Sequence, residues 1–185
     1  NTLTLPAMNV KAVADKKNII KSKENAFELQ MDVTPGKLAT TGVELYNAKG
    51  EKVKIYFDTK ERKLVMDRTE SGLVEFGKRS VPHDIEKNYS DVHQGVGNTP
   101  FRVFNSINYK NDFALGTWAP LSLCKGTTYH VDIFVDKCSV EIFVDGGRIA
   151  MTNLVFPTAP YTSVKFYNNG ASTSFRNITL SELSL

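Results

Sequence analysis

The sequence predicts an all-β chain: an antiparallel two-sheet β-sandwich of the jelly-roll or concanavalin-like kind, with roughly ten to twelve strands. Three observations predict it. Apolar and polar residues alternate with period two in one run after another. Turn signals separate these runs at intervals of roughly eight to twelve residues. The 185 residues are 41% hydrophobic and 10% aromatic, enough to fill one core between two sheets.

Taken in order, Asn1 to Leu5 reads as a short strand remnant ending at Pro6, and residues 1–9 as a linker into the sandwich proper. The lysine-rich stretch from Val10 to Asn25 is weakly patterned and reads as loop and edge strand. Phe27, Leu29, Met31 and Val33 alternate with Glu28, Gln30 and Asp32, which makes a strand with one buried face. Thr34-Pro35-Gly36 is a turn signal, Val43 and Leu45 belong to the next strand, and Asn47-Ala48-Lys49-Gly50 turns again. Val53, Ile55 and Phe57 alternate with lysines and Tyr56, and a further strand runs from Arg62 to Asp67. The pattern then fails. Gly72, Gly77, Pro82, Gly95, Gly97 and Pro100 punctuate a polar stretch, read as a long insertion near residues 77–112. After Pro157 and Pro160, two closing strands follow, Ser163 to Tyr167 and Ser174 to Leu183, joined by a turn at Asn168-Asn169-Gly170.

The clearest signal is the stretch from Tyr129 to Thr152. Val131, Ile133 and Val135 point one way, with His130, Asp132, Phe134 and Asp136 opposite. After Lys137-Cys138 the alternation resumes in Val140, Ile142 and Val144, against Ser139, Glu141, Phe143 and Asp145. Gly146-Gly147 ends the second strand, since glycine tolerates the positive φ of a tight turn. Arg148 starts a third strand, so the stretch is a three-strand meander with an aliphatic face for the core. Phe134 and Phe143 lie on its other face, where adjacent strands bring the rings within pairing distance.

This stretch also carries a resemblance. Val135-Asp136-x-x-Ser139-x-Glu141-x-Phe143, then Gly146-Gly147-Arg148 and Phe156-Pro157, resembles the C-terminal β-sandwich of glycoside hydrolase family 32, the family of invertases, inulinases and levanases. Asp67-Arg68-Thr69-Glu70-Ser71-Gly72, Gly42-Val43-Glu44-Leu45 and the Leu5-Pro6 pair fit the same order. Two departures are Ala7-Met8, where a basic and an acidic residue often follow the proline, and the unplaced segment from Val81 to Asp112. The resemblance implies a non-catalytic module of a fructan- or sucrose-hydrolysing enzyme that stabilises an N-terminal five-bladed propeller. In such enzymes two carboxylates, roughly 5 Å apart, cleave the glycosidic bond. The resemblance places them in the propeller, in Asn-Asp-Pro-like and Glu-Cys motifs, with an auxiliary Arg-Asp-Pro. This sequence contains no Asp-Pro and no Glu-Cys pair, so no catalytic residue carries over. Asp136, Ser139, Glu141, Phe143, Gly146, Gly147 and Arg148 are therefore expected to serve structure or a domain interface, with Asp136 accepting turn N–H bonds and Glu141 pairing with a base such as Arg148.

Other classes of function find no support. The formal net charge is +3, and the basic residues are scattered, which gives no nucleic-acid footprint. No run approaches the ~18 apolar residues of a membrane span. His83, His93 and His130 are far apart, without metal-ligand spacing, and no cofactor fingerprint appears. Cys124 and Cys138 do not make a disulfide scaffold, and free thiols are expected over a single bridge. Asn88-Tyr89-Ser90 and Asn177-Ile178-Thr179 match the common glycosylation triplet. The chain starts at Asn1 with no signal peptide, as expected of an excised or mature fragment. The resemblance implies an extracellular or periplasmic parent and, in some members, a homodimer. A rival reading is an autonomous carbohydrate-binding module for fructans or related glycans, with Trp118, Tyr109 and Asn111 as candidate sugar contacts, Phe113 beside them in the chain, and Tyr161 and Tyr167 flanking the last turn.

Overall fold

The computed structural model describes residues 1–10, 18–75, 113–122 and 126–183. Among these residues it forms thirteen strands in two antiparallel sheets. The first sheet joins β1 (Thr2–Leu5), β2 (Met8–Val10), β4 (Phe27–Thr34), β9 (Tyr129–Val135), β10 (Ser139–Val144), β11 (Ile149–Leu154) and β13 (Thr173–Glu182). Its order is β1-β13-β4-β9-β10-β11, with β2 also on β13. The second sheet joins β3 (Ile19–Lys21), β5 (Thr40–Tyr46), β6 (Lys52–Asp58), β7 (Lys63–Glu70), β8 (Gly116–Pro120) and β12 (Ser163–Asn169). Its order is β3-β12-β5-β6-β7-β8. The sandwich architecture is as the alternation predicts, and the strand count exceeds the expected range.

At the N-terminus the strand expected at Asn1 to Leu5 is present as Thr2–Leu5, and Met8–Val10 adds a further short strand. Thr2–Leu5 and Met8–Val10 lie within the expected linker of residues 1–9, yet both pair with β13. Asn168, near the end of β12, secures this end, since its amide donates to the carbonyls of Val10 (3.1 Å) and Ala171 (2.8 Å). The two ends of the chain are thus neighbours: Thr2 lies opposite Ser181, and Glu182 N donates to Asn1 O at 2.8 Å. The edge-strand reading before Asn25 holds for Ile19–Lys21, which pairs with β12 at one edge of the second sheet.

The two inner faces build the core. Leu29, Met31, Val131, Ile133, Val140 and Ile142 from the first sheet pack with residues such as Leu45, Ile55, Leu64 and Phe166 from the second, all 2% exposed or less. Phe166 and Phe175 meet edge-on across the sandwich, with centroids 5.1 Å apart, and Phe57 meets Tyr129 at 5.1 Å. Every inward position of β4, β9 and β10 is apolar, which is why period two in the sequence becomes two layers. The reading of residues 77–112 as an insertion lies almost wholly outside the described residues.

Candidate functional site

The family-like residues gather at two places. The first is the meander. Val131, Ile133 and Val135 face the core beside Val140, Ile142 and Val144, and all six are buried. The turn between β9 and β10 is closed by Asp136 N donating to Ser139 O at 3.0 Å, and the Asp136 carboxylate accepts the Lys137 N–H at 2.6 Å. The turn after β10 runs through three successive positive φ angles, at Asp145 (49°), Gly146 (68°) and Gly147 (92°). Two glycines there avoid most of the Cβ strain. Asp145 anchors the turn from both sides. Its side chain accepts the His130 N–H at 3.0 Å, and its own N–H donates to His130 O at 2.8 Å.

The expected pair between Glu141 and Arg148 is corrected: Arg148 binds Asp145 instead, at 3.1 Å. Those two residues stand three apart across the glycine turn, whereas Glu141 lies farther along the strand, opposite Phe134 and Thr152. On this outer face the Phe134 and Phe143 rings meet edge-on, with centroids 5.9 Å apart. Both are partly buried. Beside them lies an open hollow of about 240 Å³, lined by Ala26, Leu183 and five meander residues, of which Val135, Asp136, Ser139 and Glu141 are motif positions and Phe134 is the fifth.

The second gathering joins segments far apart in sequence. Arg68 donates from Nε to Phe113 O at 2.8 Å and from Nη1 to Leu154 O at 2.9 Å, and its guanidinium lies 3.9 Å from the Phe113 ring centre. It thereby ties β7 of one sheet to the end of β11 in the other. Burial pushes its pKa down from the usual guanidinium value. Next to it, Gly72 (φ 127°) approaches so close to Phe156 that an added Cβ would stand 2.5 Å from the Phe156 carbonyl oxygen. Leu73 N donates to that same oxygen at 2.9 Å, and the Tyr161 hydroxyl donates to Ser71 O. The two sequence motifs around residues 67–72 and 156–157 are thus one packed joint. Ser71 Oγ is fully buried there without a hydrogen-bond partner among the described residues.

A polar cluster occupies the middle of the first sheet's outer face. His130 Nδ1 lies 2.8 Å from Asp32 and its Nε2 3.3 Å from Asp132. Gln30 donates to Asp132 at 2.9 Å, and Asn177 donates to Asp32 at 2.6 Å. The Asn177 bond and the His130 contact hold the Asp32 carboxyl below its ordinary pKa, and the Asp32 bond raises that of His130. The Asn177 amide nitrogen, the atom a glycan would occupy, is therefore engaged with Asp32.

Of the candidate sugar contacts, Trp118 lies on β8, the outermost strand of the second sheet, and is 56% exposed. Lys63 Nζ sits 4.4 Å from its ring centre. Tyr109 and Asn111 lie outside the described residues. Phe113 packs on Phe156 and Arg68, and Tyr161 is buried at 1% exposure. The residues that do share Trp118's face are Tyr56 and Tyr167, of which Tyr56 was visible in the sequence only as the polar half of a strand. Among the described residues no group of His, Cys, Asp or Glu is arranged to hold a metal ion, and no helix is long and apolar enough to cross a membrane. Cys138 is an exposed free thiol, and Cys124 lies outside the described residues.

The fold is a two-sheet antiparallel sandwich whose motif residues form turns and joints. The chain matches the family described as glycosyl hydrolases family 32 C terminal over residues 3–182, and it belongs to that family. It is 30% identical over 95 residues to a levanbiose-producing levanase of Bacillus subtilis (strain 168), a match covering 51% of this chain and 17% of that protein. A levanase of the same organism is 23% identical over 161 residues, covering 86% of this chain and 19% of its own length. The chain thus spans less than a fifth of these relatives. Among solved structures, a fructosyltransferase from A. japonicus superposes with a TM-score of 0.68 at 15% identity, over 100% of this chain and 26% of that one. An exo-inulinase from Aspergillus awamori superposes at 0.63 and 18% identity, over 100% and 29%. Both likenesses speak to the fold.

Proposed function

We propose that this chain is the non-catalytic C-terminal module of a β-fructosidase-type glycoside hydrolase, and that it stabilises a catalytic propeller in the same polypeptide. The family match over residues 3–182 carries this reading, joined to the short share of each levanase that the chain spans. Local chemistry agrees. The Asp136 carboxylate is engaged in a turn, Glu141 lies on the face of a strand, and the sequence has neither an Asp-Pro nor a Glu-Cys pair. The hollow beside Phe134 and Phe143, rimmed by motif residues, is the surface best suited to receive the propeller. The parent acts on fructans or sucrose and works outside the cytoplasm, as its likeness to levanases supports. The test is hydrolysis: purified alone, the chain should release no reducing sugar from sucrose, inulin or levan beyond a mock preparation. Release above that level overturns the non-catalytic reading. A second reading, sugar binding by the module itself, is favoured by the exposed ring of Trp118.

A further inference from the structure

The outer face of the second sheet carries a row of residues that no single stretch of sequence reveals. Tyr167 pairs with Gly42, Gly42 with Tyr56, Tyr56 with Val65, and Val65 with Trp118. These five residues form one line across β12, β5, β6, β7 and β8. Tyr167, Gly42, Tyr56 and Val65 face away from the core, because their strand neighbours Phe166, Val43, Ile55, Leu64 and Met66 are buried; Tyr167, Tyr56 and Val65 are half-buried, and Trp118 is the exposed end of the line. The Tyr56 and Tyr167 rings, on the strands either side of Gly42, meet edge-on with centroids 6.5 Å apart and planes at 62°. With neighbouring strands about 4.8 Å apart, the line is about 19 Å long.

The line is also narrow. The row on one side is Lys165, Glu44, Lys54, Asp67 and Gly116, and on the other Asn169, Thr40, Asp58, Lys63 and Pro120. Their backbones lie about 7 Å from the line, and the Lys63 ammonium reaches to 4.4 Å from the Trp118 ring centre. Charges alternate in sign along the first of them, where Lys165 contacts Glu44 at 3.5 Å. The acidic side chains of Asp58 and Asp67 flank the Tyr56 hydroxyl, and they add to the burial that raises its pKa.

This geometry selects among occupants. A nucleic acid needs a continuous basic track for its phosphates, and the alternating signs break one. A protein partner favours an interface core depleted of charge, whereas here charged side chains stand two positions along the strands on both sides. A neutral oligosaccharide meets both demands. Its C–H faces cover aromatic rings one sugar wide, and its hydroxyls donate to carboxylates and accept from ammonium groups along the edges.

We propose that the Tyr167–Tyr56–Trp118 line is a binding surface for a polysaccharide chain and, resting on the reading of the parent as fructan-active, that its ligand is a β-fructan. Native gel electrophoresis of this chain through gels containing levan, inulin or dextran tests it. The probes are the wild type, Trp118→Ala, Tyr56→Ala, Trp118→Phe, and Phe134→Ala on the other sheet. Thermal melts confirm that each variant is folded. Levan or inulin should retard the wild type, Trp118→Phe and Phe134→Ala. Both aromatic-line alanine variants should bind on the order of tenfold more weakly, a loss of about 1.4 kcal/mol. No retardation in any gel, or retardation that survives both alanine substitutions, overturns the assignment. Retardation lost only in Phe134→Ala overturns it by moving binding to the first sheet. A dimer that dissociates on Trp118→Ala, with no retardation, gives the face to a second copy and overturns it as well. Retardation by dextran alone overturns the fructan ligand specifically. It leaves the hydrolysis test of the parent's chemistry as a separate result.

Discussion

His130 and Asp32 make the first sheet's outer face sensitive to pH, and the signs can be worked out. Asp32, held below its ordinary carboxyl value of 3.8, contributes stability above that pH and loses it as pH falls through its folded pKa. His130, raised above 6.5, contributes stability below that value and loses it as pH rises through its folded pKa. The pair is therefore fully formed between these limits. His130→Gln should lower the melting temperature more at about pH 5.5 than at about pH 9. The side chain is 48% exposed, so the loss should stay under about 1 kcal/mol. Equal losses at both values would show that the ion pair contributes nothing.

Two other residues give opposite expectations from burial alone. Ile142 is fully buried in the meander, so Ile142→Ala should destabilise by about 2–5 kcal/mol in denaturant melts, and Glu141→Ala by much less. Ser71 Oγ is buried without a partner among the described residues, so Ser71→Ala should leave stability unchanged or raise it. A clear loss on Ser71→Ala would mean that the hydroxyl has a partner in solution. The burial of Ile142 was legible in sequence because alternation fixes a side chain's face. Arg148's partner was not legible. The glycine turn, not the strand pattern, decides that Asp145 lies within its reach.

At the scale of elements, the joint between residues 67–72 and 156–157 deserves a direct perturbation. Gly72→Ala forces a Cβ to within 2.5 Å of a backbone carbonyl at a φ of 127°. It should cost about 1–3 kcal/mol or more, measured by urea melts. If it is silent, the close approach does not persist in solution. The meander was legible because its strands pair with their neighbours in sequence. The pairing of β1 and β2 with β13 was not, since their partner lies at the other end of the chain. The aromatic line was illegible for the same reason. Its members come from five strands, and only the order β12-β5-β6-β7-β8 brings them into register.

At the scale of the whole molecule, the sandwich and its family followed from local pattern and short motifs, because both survive without knowledge of which strands meet. Charge and the absence of metal-ligand spacing narrowed the function further. The site did not follow in the same way. Sequence grouped Trp118 with nearby residues in the chain, whereas a sheet groups residues by register.

The adjacency of Asn1 and Glu182 has a mechanical consequence. The β1–β13 hydrogen bonds lie perpendicular to antiparallel strands whose free ends emerge side by side. A load applied between the two ends meets these bonds one at a time, as in peeling tape, and never shears them together. Under single-molecule extension between its ends, the domain should therefore yield at low force from its terminal strand inward. A high-force, all-at-once rupture would mean that β1 is held by more than its pairing. Within a longer polypeptide the same arrangement lets the module hang as a side loop, with tension passing across its base and sparing the core.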